Sequence, residues 1–154
     1  MSTDTAPPMR TDRLGLLLDQ LDTAWELGRA RLDGLTDAEY LWEPVPGMWS
    51  VRPRGAARST APFGPGEHRL DRRVPEPDPP PLTTIAWRLG HLTHCVQGRW
   101  EYTSGPRTTP PQDVVDFAPS AAAALAQLAS AVTAWRDGLA ALSDAELDTV
   151  GFGT

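Results

Sequence analysis

At 154 residues the chain is the length of one domain, on a prior of roughly 100–200 residues per domain, and can bury a core without staples. Twenty acidic against 14 basic side chains leave a net charge of −6, which argues against a general nucleic-acid binder and against docking on anionic lipid. All the basic residues are arginine, so a Schiff-base lysine and a P-loop lysine are both excluded. Cys95 is the single cysteine, which excludes an intrachain disulfide framework and a multi-cysteine zinc knuckle. No apolar run approaches the roughly 18 residues of a membrane span, and residues 1–13 lack the apolar stretch of a signal peptide. A cytoplasmic location is the expectation.

Residues 1–10 read as a flexible lead-in, and residues 11–154 as one domain. From Leu14 the pattern turns helical. Leu14, Leu17, Leu18, Leu21, Trp25, Gly28, Leu32 and Leu35 share a stripe at the helical step of about 100° per residue. Asp19, Asp22, Glu26, Arg29 and Asp33 fall on a second, solvated face. This first helix is expected to stop near Gly34. Thr36-Asp37-Ala38-Glu39 is a capping box that opens a short helix, ended by Pro44 and Pro46.

Residues 52–81 are rich in proline and carry Arg52, Arg54, Arg58, Arg69, Arg72 and Arg73. They read as a long irregular loop with a brief extended piece near His68–Val74. A loop of that length in a compact domain is functional or disordered. Its arginines suit an anionic ligand such as the carboxylate of a thiol cofactor. The blander alternative, a solvated loop balanced by Glu67, Asp71, Glu76 and Asp78, is the favoured reading here.

Thr83 or Thr84 caps the next helix, which runs to about Ser104 before Gly105-Pro106. Ile85, Leu89, Leu92, Val96 and Trp100 form its expected core stripe. Trp87, His91, His94 and Gly98 line up on the other side, so both faces are low in charge and the second is buried or faces a cavity. His91 and His94, three residues apart, have a spacing that suits a shared divalent cation, and imidazole suits zinc, nickel, copper or iron. Two histidines do not fill a coordination sphere. The alternative is a histidine near the bundle interior, hydrogen-bonded to a carbonyl or hydroxyl. Cys95 is expected to pack as a small hydrophobe rather than act as a nucleophile. His68 is expected to be exposed. Trp25, Trp100 and Trp135 belong to core stripes, and Trp42, Trp49 and Trp87 to turns and the second face, with packing favoured over ligand stacking.

Ser120 caps a third long, alanine-rich helix with Leu125, Leu128, Val132, Trp135, Leu139 and Leu142 on one side. Leu32–Glu39 is echoed by Leu139–Glu146: a helix ending in leucine, a cap, then Asp-Ala-Glu. Three long helices and two short ones predict an all-α antiparallel bundle with long crossover links.

Leu32–Pro53, followed by Thr83–Leu92, resembles an actinobacterial member of the DinB-like superfamily, whose relatives include bacillithiol transferases and mycothiol-dependent maleylpyruvate isomerases. The resemblance covers nearly the whole chain. It implies an up-down-down-up helical bundle, of which three long helices and a Pro/Arg-rich crossover loop are present. It also implies a divalent metal, zinc or nickel, held by three histidines. His91 matches the one on the second long helix. The other two come from a fourth helix, and the residues after Asp148 hold no histidine. His94 is the weaker second ligand. Three helices patterned for a four-helix core would leave an apolar groove for a second chain, so a homodimer or a truncated remnant is expected.

Two functional expectations follow. One is a divalent-metal-binding protein of thiol-dependent S-transferase or isomerase ancestry with an incomplete metal site and doubtful catalytic competence. The other is a non-catalytic bundle that binds a small ligand or a protein. A low-molecular-weight thiol and a second copy of the chain are the expected partners; nucleic acid and membrane are not.

Overall fold

The computed structural model describes residues 12–148; residues 1–11 and 149–154, and with them the expected flexible lead-in, lie outside the described residues. Three long helices dominate: α1 (Arg13–Arg31), α3 (Ile85–Thr103) and α4 (Ala121–Ala140), with the single turn α2 (Asp37–Tyr40) after α1. Two short strands, β1 (Val51–Pro53) and β2 (His68–Leu70), pair antiparallel with Val51 opposite Leu70 and Pro53 opposite His68. The extended piece expected near His68 is therefore one arm of a hairpin that closes much of the arginine-rich loop.

Each helix starts where its capping residue dictates. The Asp12, Thr36, Thr84 and Ser120 side chains accept from the backbone N–H of Gly15, Glu39, Trp87 and Ala123. At Thr36 the box is complete, because the Glu39 carboxylate reaches back to the Thr36 N–H at 3.0 Å. Gly34 sits at φ +77°, where a side chain would be strained, and turns the chain from α1 into α2.

Helices α3 and α4 run in the same direction. Gly90, early in α3, approaches Phe117 just before α4, and near the far ends a Cβ on Gly138 would stand 2.7 Å from Ser104 Oγ. Helix α1 is antiparallel to α4. The Leu14 N–H donates to Asp144 Oδ1 at 3.0 Å beyond the end of α4, Arg136 pairs with Asp22 at 2.6 Å, and the Ala121 N–H donates to Asp37 Oδ1 at 2.8 Å beyond the end of α1. The order is up-down-down for the three long helices. The echoed Asp-Ala-Glu segments thus have reciprocal roles: the aspartate after α1 caps α4, and the aspartate after α4 caps α1.

Many of the buried residues of α3 and α4 are small: Ala86, Gly90 and Thr93 from α3, and Ala121, Ala124 and Ala131 from α4, are buried with Leu89, Leu128 and Val132. Leu14 and Leu18 anchor α1, each burial contributing about 1.5–3 kcal/mol. The core stripes differ from the expected ones. Leu17 of α1 and Leu92 of α3 are half exposed, at 49% and 51%. Gly90 and Thr93 are buried in their place, and a Cβ on Gly90 would meet Leu70 and Val51 of the strands and Phe117 ahead of α4. Trp25 packs against the core as expected, while Trp42 is 64% exposed. Tyr40 is fully buried, its hydroxyl donating to the Ala118 carbonyl at 2.9 Å, and burial pushes its pKa up to about 12.

Candidate functional site

The irregular segment is pinned by one carboxylate. Asp71 is fully buried and accepts from the Ser50 N–H (3.1 Å), the Arg58 N–H (2.9 Å) and Arg52 Nε (2.9 Å). Arg52 also pairs with Glu43 at 2.6 Å, and Glu43 with Arg58 at 3.1 Å. Of the four carboxylates expected to balance the loop in solvent, Glu67, Glu76 and Asp78 are exposed, and Asp71 is the one that is buried. Trp87 Nε1 donates to the Asp71 carbonyl at 2.8 Å, and Thr84 Oγ1 donates to Ser50 Oγ at 2.9 Å, so the hairpin is fastened to the first turn of α3.

Fastening it there builds a cavity of about 660 Å³ between the hairpin segment and one face of α3. Trp87, His91, His94 and Cys95 supply the helical wall, and Trp49, Phe63, Leu70 and Pro111 the rest of the apolar lining. Arg72, Arg73 and Glu76 supply its charged groups. The periodicity places Trp87, His91 and His94 on this face as expected. Cys95 joins them, a correction to its expected packing: it is exposed and lines the cavity.

The side chains of the wall are ordered by one another. The imidazole of His91 stacks on Trp87, with centroids 4.8 Å apart and planes 15° apart. His91 Nε2 lies 3.7 Å from Cys95 Sγ, one helical turn on. His94 Nε2 lies 2.7 Å from the Pro111 carbonyl. A carbonyl only accepts, so that nitrogen carries the proton and donates. His94 also packs 4.8 Å from the Phe63 ring, over which the Arg72 guanidinium sits at 4.3 Å. Burial, and after it the charge of Arg72, holds the His91 pKa below the usual imidazole range. Burial likewise lowers His94, against the opposing bond to Pro111. Burial pushes the Cys95 thiol up, with Arg99 pulling the other way. His91 is exposed and opens on this cavity rather than on the bundle interior, where the hydrogen-bonded alternative put it. His68, expected in solvent, is half-buried at the hairpin.

A second hollow, of about 600 Å³, separates the later part of α1 from α4 and is lined by Trp25, Leu32, Leu35, Leu125 and small alanines.

A family model described as the DinB superfamily matches residues 20–54 and 62–154. The chain belongs to the DinB superfamily. No curated protein and no solved structure matches it. The mainly helical architecture agrees with that membership, and no described helix is long and apolar enough to cross a membrane.

Among the described residues of this DinB-superfamily chain, the donor set around His91 and His94 does not fit a resident metal. Among the described residues no group of three or more His, Cys, Asp or Glu side chains converges on one point. His91 and Cys95 make a two-donor pair, and the His94 nitrogen nearest Pro111 is spent on a carbonyl. A site for zinc or nickel needs at least a third protein ligand. The sequence signals that find this cavity are the uncharged second face of α3 and the arginines near Leu70. Trp49, Phe63 and Pro111 carry no such signal, because only the folded hairpin and the link before α4 bring them in.

Proposed function

We propose that this DinB-superfamily chain is a binding protein for a small anion with a flat or apolar body, and that a carboxylate-bearing low-molecular-weight thiol is the class its cavity suits. The observation that supports the reading is the union, in one cavity of about 660 Å³, of two guanidiniums (Arg72 and Arg73) with the rings of Trp49, Phe63 and Trp87. That volume lies within the roughly 300–1,000 Å³ of small-molecule sites. Guanidinium forks match carboxylate oxygens, and the rings offer stacking surface. Glu76 on the same cavity disfavours a second negative charge on its side.

Titration with mercaptobenzoate and benzoate, followed by tryptophan fluorescence, tests this. Trp49 and Trp87 report directly because they line the site. Saturable quenching is expected, weakened in Arg72→Gln/Arg73→Gln. Quenching that is linear with concentration and unaffected by that substitution would remove the reading.

A homodimer is the second reading. It is supported by the hollow between α1 and α4 and by Leu16, Leu17 and Leu27, which are 53%, 49% and 66% exposed on α1. Light scattering that gives the mass of one chain at all concentrations would end it.

A further inference from the structure

We propose that Cys95 is a covalent attachment point inside the α3 cavity, where it exchanges with a small carboxylate-bearing organic disulfide. The inference rests on the ligand reading above and adds a bond to it. Cys95 does not stand alone. Its Sγ lies 3.7 Å from His91 Nε2, a nitrogen that can take the thiol proton, and both side chains open on the same cavity. The imidazole is held in place by its stack on Trp87. Arg72 and Arg73, on the same lining, are placed to hold the carboxylate of an incoming molecule while its sulfur meets Cys95. No other cysteine exists in the chain to resolve the product by an intrachain disulfide.

The step balances without an outside oxidant. The Cys95 S–H bond breaks and its proton passes to His91 Nε2. Sγ forms a bond to the near sulfur of the disulfide, and the old S–S bond breaks. Its electron pair leaves on the far sulfur as a thiolate, which takes a proton from the imidazolium or from water. Cys95 ends oxidised in a mixed disulfide, and the departing half of the ligand ends reduced.

The test uses two reagents on the full chain: the anionic aromatic dithiobis(nitrobenzoate) and the neutral dithiodipyridine. One thiolate is released per chain, and the anionic reagent gains on the neutral one in the folded protein relative to the same protein in urea, where the arginines no longer stand beside Cys95. Arg72→Gln/Arg73→Gln slows the anionic reagent roughly tenfold and leaves the neutral one unchanged, as loss of charge steering and carboxylate pairing demands. His91→Gln slows both reagents, and His91→Phe does the same while keeping an aromatic ring against Trp87. An anionic-to-neutral rate ratio no higher in the folded protein than in urea overturns the proposal, as does equal slowing of both reagents by the arginine substitutions. Cys95→Ser separates the two readings. If that variant binds mercaptobenzoate while the exchange result fails, the covalent inference falls alone. If it does not bind, the ligand reading falls with it.

Discussion

Replacing Asp71 with alanine tests whether one carboxylate holds the hairpin against α3. The native side chain has no solvent exposure and satisfies two backbone N–H groups and Arg52 Nε. Its loss leaves the buried Ser50 N–H without a partner, a cost of about 1–3 kcal/mol. It also breaks an ion pair whose arginine side chain is only 12% exposed. Removing one member of a buried pair costs about 3–5 kcal/mol. Arg52 keeps Glu43 at 2.6 Å and the Met48 carbonyl at 3.0 Å, so it is not wholly stranded and the low end of that range applies. Together the terms give about 4–6 kcal/mol, out of a typical total of about 5–15 kcal/mol for a domain. Urea unfolding followed by tryptophan emission reads this out, with an expected midpoint drop of about 2 M at a slope of roughly 1–3 kcal/mol per M. The native emission also shifts, because Trp87 Nε1 donates to the Asp71 backbone. Adding Arg52→Met should recover part of the loss, since it removes the stranded cation. The double variant should be more stable than the sum of the singles by about 1 kcal/mol or more. A midpoint drop under about 0.5 M for Asp71→Ala, or strict additivity with Arg52→Met, would refute the account.

Asp37→Ala and Asp144→Ala should each cost about 1 kcal/mol by thermal melting, and their effects should add because the two caps sit at opposite ends of the α1–α4 pair. Gly90→Val should cost about 1–3 kcal/mol, since even its Cβ would meet Leu70 at 3.0 Å and Phe117 at 3.1 Å; an unchanged urea midpoint would contradict that packing. Stability should fall on acidification in two windows. The pKa values of His91 and His94 are lowered by folding, so their contribution is complete above 6.5 and is lost as pH falls through the folded values. The pKa of Glu101, lowered chiefly by the Thr109 N–H, gives a contribution that is complete above 4.5 and lost below. His91→Gln/His94→Gln should abolish the upper window alone, as read by urea midpoints from neutral pH downward. Elemental analysis of the purified chain should give well below one zinc or nickel ion per molecule; a stoichiometric ion that survives dialysis would show a third ligand outside the described residues.

The local features of this chain were legible in its sequence, and the nonlocal ones were not. Thr36, Thr84 and Ser120 announce helix starts because a cap and its partner lie three residues apart. The helical period places Trp87, His91 and His94 on one face for the same reason. A wheel, however, gives a stripe without saying what will cover it. Leu92 falls on the apolar stripe of α3 yet is half exposed, while Gly90 is inside because the two strands and Phe117 close over it. Asp71 looked like one more surface charge since its partners, Ser50 and Arg52, are 21 and 19 positions away. The echoed Asp-Ala-Glu segments were visible, but their exchange of caps spans 84 and 130 positions and appears only when α1 and α4 lie antiparallel.

The same distinction separates what His91 inherits from what surrounds it. Its place on α3 follows from the helix period, and family membership follows from the match over most of the chain. What the imidazole can do depends on neighbours that this chain supplies: Trp87 beneath it, Cys95 one turn away, and two arginines across the cavity. A nitrogen paired with a thiol and facing guanidiniums is a poor seat for a cation, because the nearby positive charge repels it and no carboxylate completes the donor set. The same surroundings favour an anion. The proposed ligand uses these same neighbours, with its carboxylate meeting the arginines and its sulfur meeting Cys95.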